Sequence, residues 1–521
     1  MKKSRYLAAF LCMVLLSGCA KQTVTQVSTT QEETVTFTSM EQEAVLSYEV
    51  PENIPGILVN QLGYRPGSSK VVIFGGEEIP AIFYVRNAET GAIVYTGRTE
   101  EKKYDNYQKE YYSYGDFSEL KTEGTYYIEA PVLGYSYSFR IEDTVYDGIF
   151  AEACKQYYYS RCGMTLTEEY AGSGAHNACH IGKAALLEDI SITLDVTGGW
   201  HQDEKGQKNV VTASETVSSL LLAYELYGEA FSDEVGIPES GNGVPDILDE
   251  IKYEIEWLLK MQDKQTGAVY AGVSIYTPGE DASGKSSEIY VEPASAEAEM
   301  AFAMALAKFS YLYQIYDTEY ATACLKAADR AYKHSALHEE PETGYYAFAA
   351  AAELYRAAGQ QTFHRDMLEY LKKEENLAVR EEAVLIGCVT YLSTKNQVNK
   401  DQCEKIMSML MDEAEVISAR SKSSLYLAAG NQKQDNNNEL LFDMMYMTVV
   451  NHVISNHEYE TVMENHLHYF LGRNAQAVCY IENAGERSSR EVEGARGIMK
   501  QFDADSKLIF MLSEIVVREN H

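Results

Sequence analysis

Between residues 55 and about 143 the apolar positions come in short runs: "GILVNQLGYRP", "KVVIFG", "AIFYVRN", "AIVYTGR", "GTYYIEA" and "YSYSFRIED". They are rich in β-branched and aromatic side chains and are punctuated by Gly, Pro and Asn. Several short strands at this spacing predict a small β-sandwich over 53–143.

From about 145 the period changes. In "PDILDEIKYEIEWLLKMQ" the residues Ile247, Leu248, Ile251, Ile255, Leu258 and Leu259 share one helical face, with Pro245 in the first turn. "SAEAEMAFAMALAKFSYLYQIY" is apolar nearly all round, which predicts a helix buried on several sides. Comparable patterns recur near 146–160, 213–229, 319–334, 345–358, 363–373, 380–393, 400–413, 437–455, 458–471 and 504–518, with almost no strand signal between them. Roughly a dozen helices over 145–521 fit a double-layered helical toroid. A helical solenoid is the alternative, but no fixed sequence period supports it.

The length of 521 residues calls for more than one domain, and 45% hydrophobic with 23% charged residues describes a globular protein. The net charge of −34 argues against nucleic acid and against direct binding to an anionic membrane surface. Neutral ligands such as sugars stay compatible. Tyrosine is abundant, at 40 residues, and its flat apolar face with a polar tip suits carbohydrate as well as ordinary packing.

The beginning reads as targeting rather than fold. "MKKSRYLAAFLCMVLLSGC" has a basic start, an apolar run and small residues before Cys19. Leu16-Ser17-Gly18-Cys19 resembles the lipobox of bacterial lipoproteins, which implies lipidation at Cys19 and an exported, membrane-anchored protein at the bacterial cell surface. Residues 1–19 are then the signal peptide. Residues 20–52, rich in Thr, Gln, Glu and Ser, form a flexible tether. No later run approaches the roughly 18 apolar residues of a membrane span, so the lipid is the expected attachment. Seven cysteines remain after Cys12 and Cys19. An odd number argues against a full disulfide framework and for buried thiols or metal ligands.

Longer motifs point to a family. "ILVNQLGYRPGSSKVVIF", then "YYYSRCGMTL", "HNACH", "DVTGGWH", "IPESGNGVPDILDEIKYEIEWLLKMQDKQTGAVY", "VEPASAEAEMAFAMALA" and "HYFLGRNAQAVCYIENAGERSS" follow one another over about 55–515. In this order they resemble family 9 glycoside hydrolases with an N-terminal immunoglobulin-like domain. The resemblance implies a mainly α fold, an (α/α)₆ barrel after a small all-β sandwich, and inverting cleavage of β-1,4-glucans.

Inverting hydrolysis needs a carboxylate base on water and a carboxylic acid at the leaving oxygen. In the family the base belongs to an Asp-Ala-Gly-Asp loop after the "GGW" turn. Here that loop is Gln202-Asp203-Glu204-Lys205, so Gln202 and Lys205 replace both aspartates. A protonated lysine has no lone pair for a water proton. The family's acid glutamate falls on Met499 or a neighbour, and "REVEGARG" lacks the histidine of the usual substrate clamp. Asp203 and Glu204 are displaced candidates for the base. Glu491, Glu493, Asp503 and Asp505 are candidates to reach the cleft. Trp200 is one of only two indoles available for stacking.

Cys162, Cys179, His180 and His201 match a site found in some family members, and two thiolates with two imidazoles suit a structural Zn²⁺. Calcium is a second candidate at Glu239, Asp246, Asp249 and Glu250, although helix capping and dipole stabilisation account for the same acids. Three functions follow: a surface lipoprotein that binds β-glucan or another polysaccharide with impaired hydrolysis, an active glycosidase with relocated carboxylates, or a structural protein of the cell envelope.

Overall fold

A computed structural model describes residues 48–276, 288–336, 344–428, 437–482, 484–492, 497–498 and 502–519. The signal peptide, Cys19 and most of the tether lie outside these residues. Among the described residues no helix is long and apolar enough to cross a membrane.

The first ten strands make two facing sheets. One is four-stranded, in the order β1 (Ile57–Leu58), β3 (Val71–Gly75), β7 (Glu110–Asp116), β6 (Lys103–Asp105). The other runs β2 (Gly63–Tyr64), β10 (Phe139–Ile141), β8 (Gly124–Ala130), β4 (Ile82–Asn87), β5 (Ile93–Arg98), with β9 (Gly134–Tyr135) beside β8. Their inward side chains, including Val72, Phe74, Phe83, Val85 and Phe139, form one core. Phe83 fits because Gly97 and Gly115 face it: a Cβ on them would lie 2.1 and 2.6 Å from its ring.

The remainder is helical. Six helices are buried over much of their surface: α3 (Val210–Tyr227), α5 (Ala296–Tyr313), α7 (Gly344–Ala358), α9 (Glu382–Ser393), α11 (Asn437–Val453) and α13 (Phe502–Glu519). α13 packs on α3, α3 on α5, α5 on α7, α7 on α9, and α11 on α13. Alternating with them in sequence, and starting ahead of α3, come α1 (Asp147–Tyr159), α4 (Asp246–Lys260), α6 (Thr318–Ser335), α8 (Gln361–Lys373), α10 (Lys400–Ser423) and α12 (His457–Phe470). These keep exposed polar positions, as an outer layer should. The alternation is the (α/α)₆ barrel. α2 (Glu168–Ala171) is an extra single turn.

Two sequence expectations need correction. α10 runs ten residues beyond the expected end at 413. The barrel also carries a five-stranded sheet, β12 (Thr193–Leu194), β11 (Ala184–Leu186), β15 (Glu288–Val291), β14 (Gly272–Tyr276), β13 (Lys208–Asn209), where almost no strand was expected. Four of these five strands have four residues or fewer, too short to show an alternating pattern. Their pairing joins segments far apart in the chain.

Candidate functional site

The site is built around the "GGW" turn ahead of α3. Gly199 has φ +72°, and a Cβ there would lie 2.7 Å from the Trp257 ring, so both conformation and space require glycine. The next peptide is fixed from two sides. Trp200 N–H donates to Glu254 Oε2 at 2.6 Å, and Cys162 N–H donates to the Gly199 carbonyl at 2.7 Å. Trp200 is wholly buried, its ring 4.7 Å from that of Tyr157. This corrects the expectation that it stacks on ligand: the indole is part of the floor and offers no face to the cleft.

From this floor His201 rises beside the other three ligand candidates. Donor atoms of Cys162, Cys179, His180 and His201 all lie within 4.8 Å of one another. His201 Nε2 is 3.3 Å from His180 Nδ1 and 3.4 Å from Cys179 Sγ, and Cys162 Sγ is 3.6 Å from His180 Nδ1. Burial pushes the Cys162 thiol up to about 12, with Lys208 opposing the shift. Burial, then the neighbouring His180, lowers His201 to about 4, leaving a neutral imidazole with a free lone pair. A cation held among the four would stabilise the thiolate that burial disfavours. The set can hold one metal ion.

Two supporting residues have no signal in spacing alone. Gly206, at φ +81°, passes so close that a Cβ would lie 2.5 Å from His180 Cε1. Lys208 is buried, donates to the carbonyls of Val196 (3.0 Å) and Gly198 (2.6 Å), and places Nζ 4.0 Å from Cys162 Sγ.

The loop 202–205 continues from the candidate metal ligands toward α3. Gln202 is paired on both sides with the Asn209 backbone: its Nε2 donates to the carbonyl at 2.8 Å and its Oε1 accepts the N–H at 2.7 Å. Asp203 accepts from the N–H groups of Lys205 (3.0 Å) and Gln207 (2.9 Å) and from Gln207 Nε2 (2.8 Å). Burial acts to raise its carboxyl, but these bonds outweigh it and hold the group below the usual range. Asp203 therefore closes a turn and is a poor proton acceptor. Glu204 and Lys205 are exposed. Asn209 caps α3 by accepting the Thr212 N–H at 3.0 Å.

A cavity of about 720 Å³ opens against this loop. One wall is α1 and the residue that caps its C-terminus, with Glu152, Gln156, Tyr159 and Ser160. The other carries His201, Gln202, Asp203 and Glu204, and Glu482, Arg490 and Asp505 come from the approach to α13 and its first turn. Asp505 thus reaches the cleft, as sequence suggested. Glu482, Glu152 and Tyr159 went unnoticed because distant segments bring them together. Met499 and Glu493 lie outside the described residues, as do the side chains of Glu491 and Asp503.

The calcium candidates are engaged elsewhere. Glu239 and Glu250 both bind the buried guanidinium of Arg161. Asp246 accepts from Val235 N–H at 2.5 Å and Ser240 Oγ at 2.7 Å, and Asp249 from Asn242 Nδ2 at 3.0 Å. This is loop and helix-start bonding that needs no ion.

Residues 146–501 match the model of Glycosyl hydrolase family 9, and residues 52–134 that of the Cellulase N-terminal ig-like domain. Endoglucanase D of Acetivibrio thermocellus is 30% identical over 461 residues, 82% of this chain and 73% of its own. A metagenome-derived glycoside hydrolase family 9 endoglucanase superposes with a TM-score of 0.79 at 24% identity, over 88% of this chain and 98% of its own. A structure described as a Zn-binding triple mutant of family 9 endoglucanase J30 superposes with 0.75 at 23% identity, over 87% and 99%. At these identities the two structures show the fold.

Proposed function

Because the chain belongs to Glycosyl hydrolase family 9, with a cellulase-type immunoglobulin-like domain ahead of its barrel, we propose that it engages β-1,4-linked glucan in the cleft beside α1 without hydrolysing it. One observation carries this reading. Of the two positions where the family's loop holds its aspartates, Gln202 has its amide paired at both ends with Asn209, and Lys205 is an exposed cation. Neither accepts a proton from water. General acid and base groups each contribute about 10²–10⁴-fold, so loss of the base alone removes most of the rate. NMR product analysis on cello-oligosaccharides, paired with calorimetric binding of the same ligands, tests it. Binding without cleavage is expected; cleavage with inversion would refute the non-hydrolytic part.

A second reading keeps an active glycosidase with relocated carboxylates. It is favoured by the presence of Glu204, Glu482 and Asp505 in one cavity. Under it, Glu204→Gln or Asp203→Asn abolishes a cleavage that the parent protein shows.

The metal of the proposal is a structural Zn²⁺. With Zn–S of about 2.3 Å and Zn–N of about 2.0–2.1 Å, a tetrahedron has edges of about 3.3 Å between nitrogens and about 3.6 Å between nitrogen and sulfur. Three of the separations among the donor atoms, 3.3, 3.4 and 3.6 Å, lie near these edges, and the whole set falls within 4.8 Å. Zinc would tie the 162, 179–180 and 201 segments together and so hold the cleft wall that starts at His201. The proposed setting is the bacterial cell surface, with the mature chain anchored through lipidated Cys19; the residues 16–19 support this.

A further inference from the structure

The cleft beside α1 lies at one end of the barrel, and a second hollow lies at the other. α3 starts next to the cleft loop and runs for 18 residues, about 27 Å at 1.5 Å per residue, to Tyr227. Around its far end and that of α5 opens a hollow of about 710 Å³, whose lining includes Tyr224, Glu225, Gly228, Tyr311, Gln314 and Lys395. Sites for organic ligands commonly measure about 300–1,000 Å³. None of these six residues belongs to the cleft or to the Cys/His set.

Two of its tyrosines are held in place. The Tyr224 hydroxyl is 2.8 Å from that of Tyr316, and its ring lies 6.1 Å from Phe231. The Arg356 guanidinium stands 4.4 Å from the centre of the Tyr311 ring. Both rings are half-buried, so each keeps open surface that is ordered before any ligand arrives. Gly228 has φ −55°, a right-handed helical value that needs no glycine. A Cβ there would lie 3.7 Å from the Tyr224 ring, in ordinary contact rather than collision. Neither conformation nor clash calls for glycine; its missing side chain leaves that side of the tyrosine open. The polar anchor is Glu225. Lys308 donates to its Oε2 at 2.6 Å and Arg356 to its Oε1. Both cations are buried and both also bind Glu353, so this quartet carries no net charge. A carboxylate fixed from two sides accepts from hydroxyls without first being ordered, and Gln314 adds an amide that donates and accepts. Flat rings beside fixed acceptors match the C–H faces and hydroxyl edges of a pyranose.

We propose that the hollow at the far end of α3 and α5 is a second glycan site, which takes a short neutral β-1,4-linked glucan chain independently of the cleft. The choice of glucan rests on the glycan-binding reading above. The location rests on the two held tyrosines, the open side at Gly228 and the fixed carboxylate of Glu225.

The test is isothermal calorimetry with cellotetraose on the full chain, where two ligands per chain are expected. Gly228→Trp places an indole in the hollow and should remove one of them. Tyr311→Leu keeps apolar cover over Arg356 but loses the ring, and should weaken that same site about tenfold, the scale of losing one aromatic anchor. Tyr159→Ala, in the cleft, should weaken only the other site. Melting curves check that each variant is folded. If both far-end variants bind as the parent does while Tyr159→Ala loses binding, the second site is overturned and the cleft reading stands. If a single site is lost in Gly228→Trp and untouched by Tyr159→Ala, the second site stands and the cleft reading is overturned. A parent that binds no cellotetraose overturns both.

Discussion

Replacing Cys179 by serine removes one of four donors from the proposed zinc centre with the least disturbance of packing, because Cys179 is half-buried while Cys162 is fully buried. A metal that binds only the folded state stabilises it by RT ln(1 + [L]/Kd), about 4 kcal/mol when the free ion exceeds its Kd a thousandfold. The sandwich and barrel lie within one compact unit, Val45–His521. At about 2.1 cal/mol/K per residue, such a unit has an unfolding entropy of roughly 1 kcal/mol/K. Loss of the metal should therefore lower Tm by about 4 °C. Elemental analysis should find about one zinc per chain in the parent and none in Cys179→Ser, with the variant's Tm matching the chelated parent. The ligand geometry would be misread if metal-free parent melted unchanged on zinc addition, or if the variant kept both its zinc and its Tm.

The double change Gln202→Asp/Lys205→Asp restores the family's loop acids but no acid glutamate at Met499, so NMR should still detect no inverting cleavage of cello-oligosaccharides. Cys19→Ala should release the protein from membranes or block its processing, as seen by fractionation and mass of the mature end. Gly97→Ala sets a methyl 2.1 Å from the Phe83 ring and should cost about 1–3 kcal/mol in denaturant melts. Burial acts to raise Glu225, but Lys308 and Arg356 outweigh it and depress the carboxyl to about 2, below its ordinary 4.5. A depressed acid contributes stability above the unfolded value and loses it as pH falls through the folded one. Glu225→Gln should therefore flatten the stability loss between about pH 4.5 and pH 2.

The fold was legible in the chain because its signal is periodic and local. The all-round apolar pattern of 295–316 marks an inner barrel helix, and the one-sided pattern of 245–262 marks an outer one, as α5 and α4 show. The four ligand-type residues were legible too, since residue chemistry and family order single them out before any distance is known. The reading that Gln202 and Lys205 stand where the family's loop holds aspartates is a statement about identity, made from the sequence.

Tertiary structure decided what those identities can do. Trp200 could stack on a sugar until the fold buried it over Tyr157. Asp203 is a displaced-base candidate by identity, and the turn gives its carboxylate three donors that hold it below the usual range. The short strands 184–186 and 288–291 pair across about a hundred residues, and Glu152, Glu204 and Glu482 share a cavity across more than three hundred. A hydrogen bond or a shared field depends on separation in space, which a linear pattern encodes only where the partners sit within a few residues of each other.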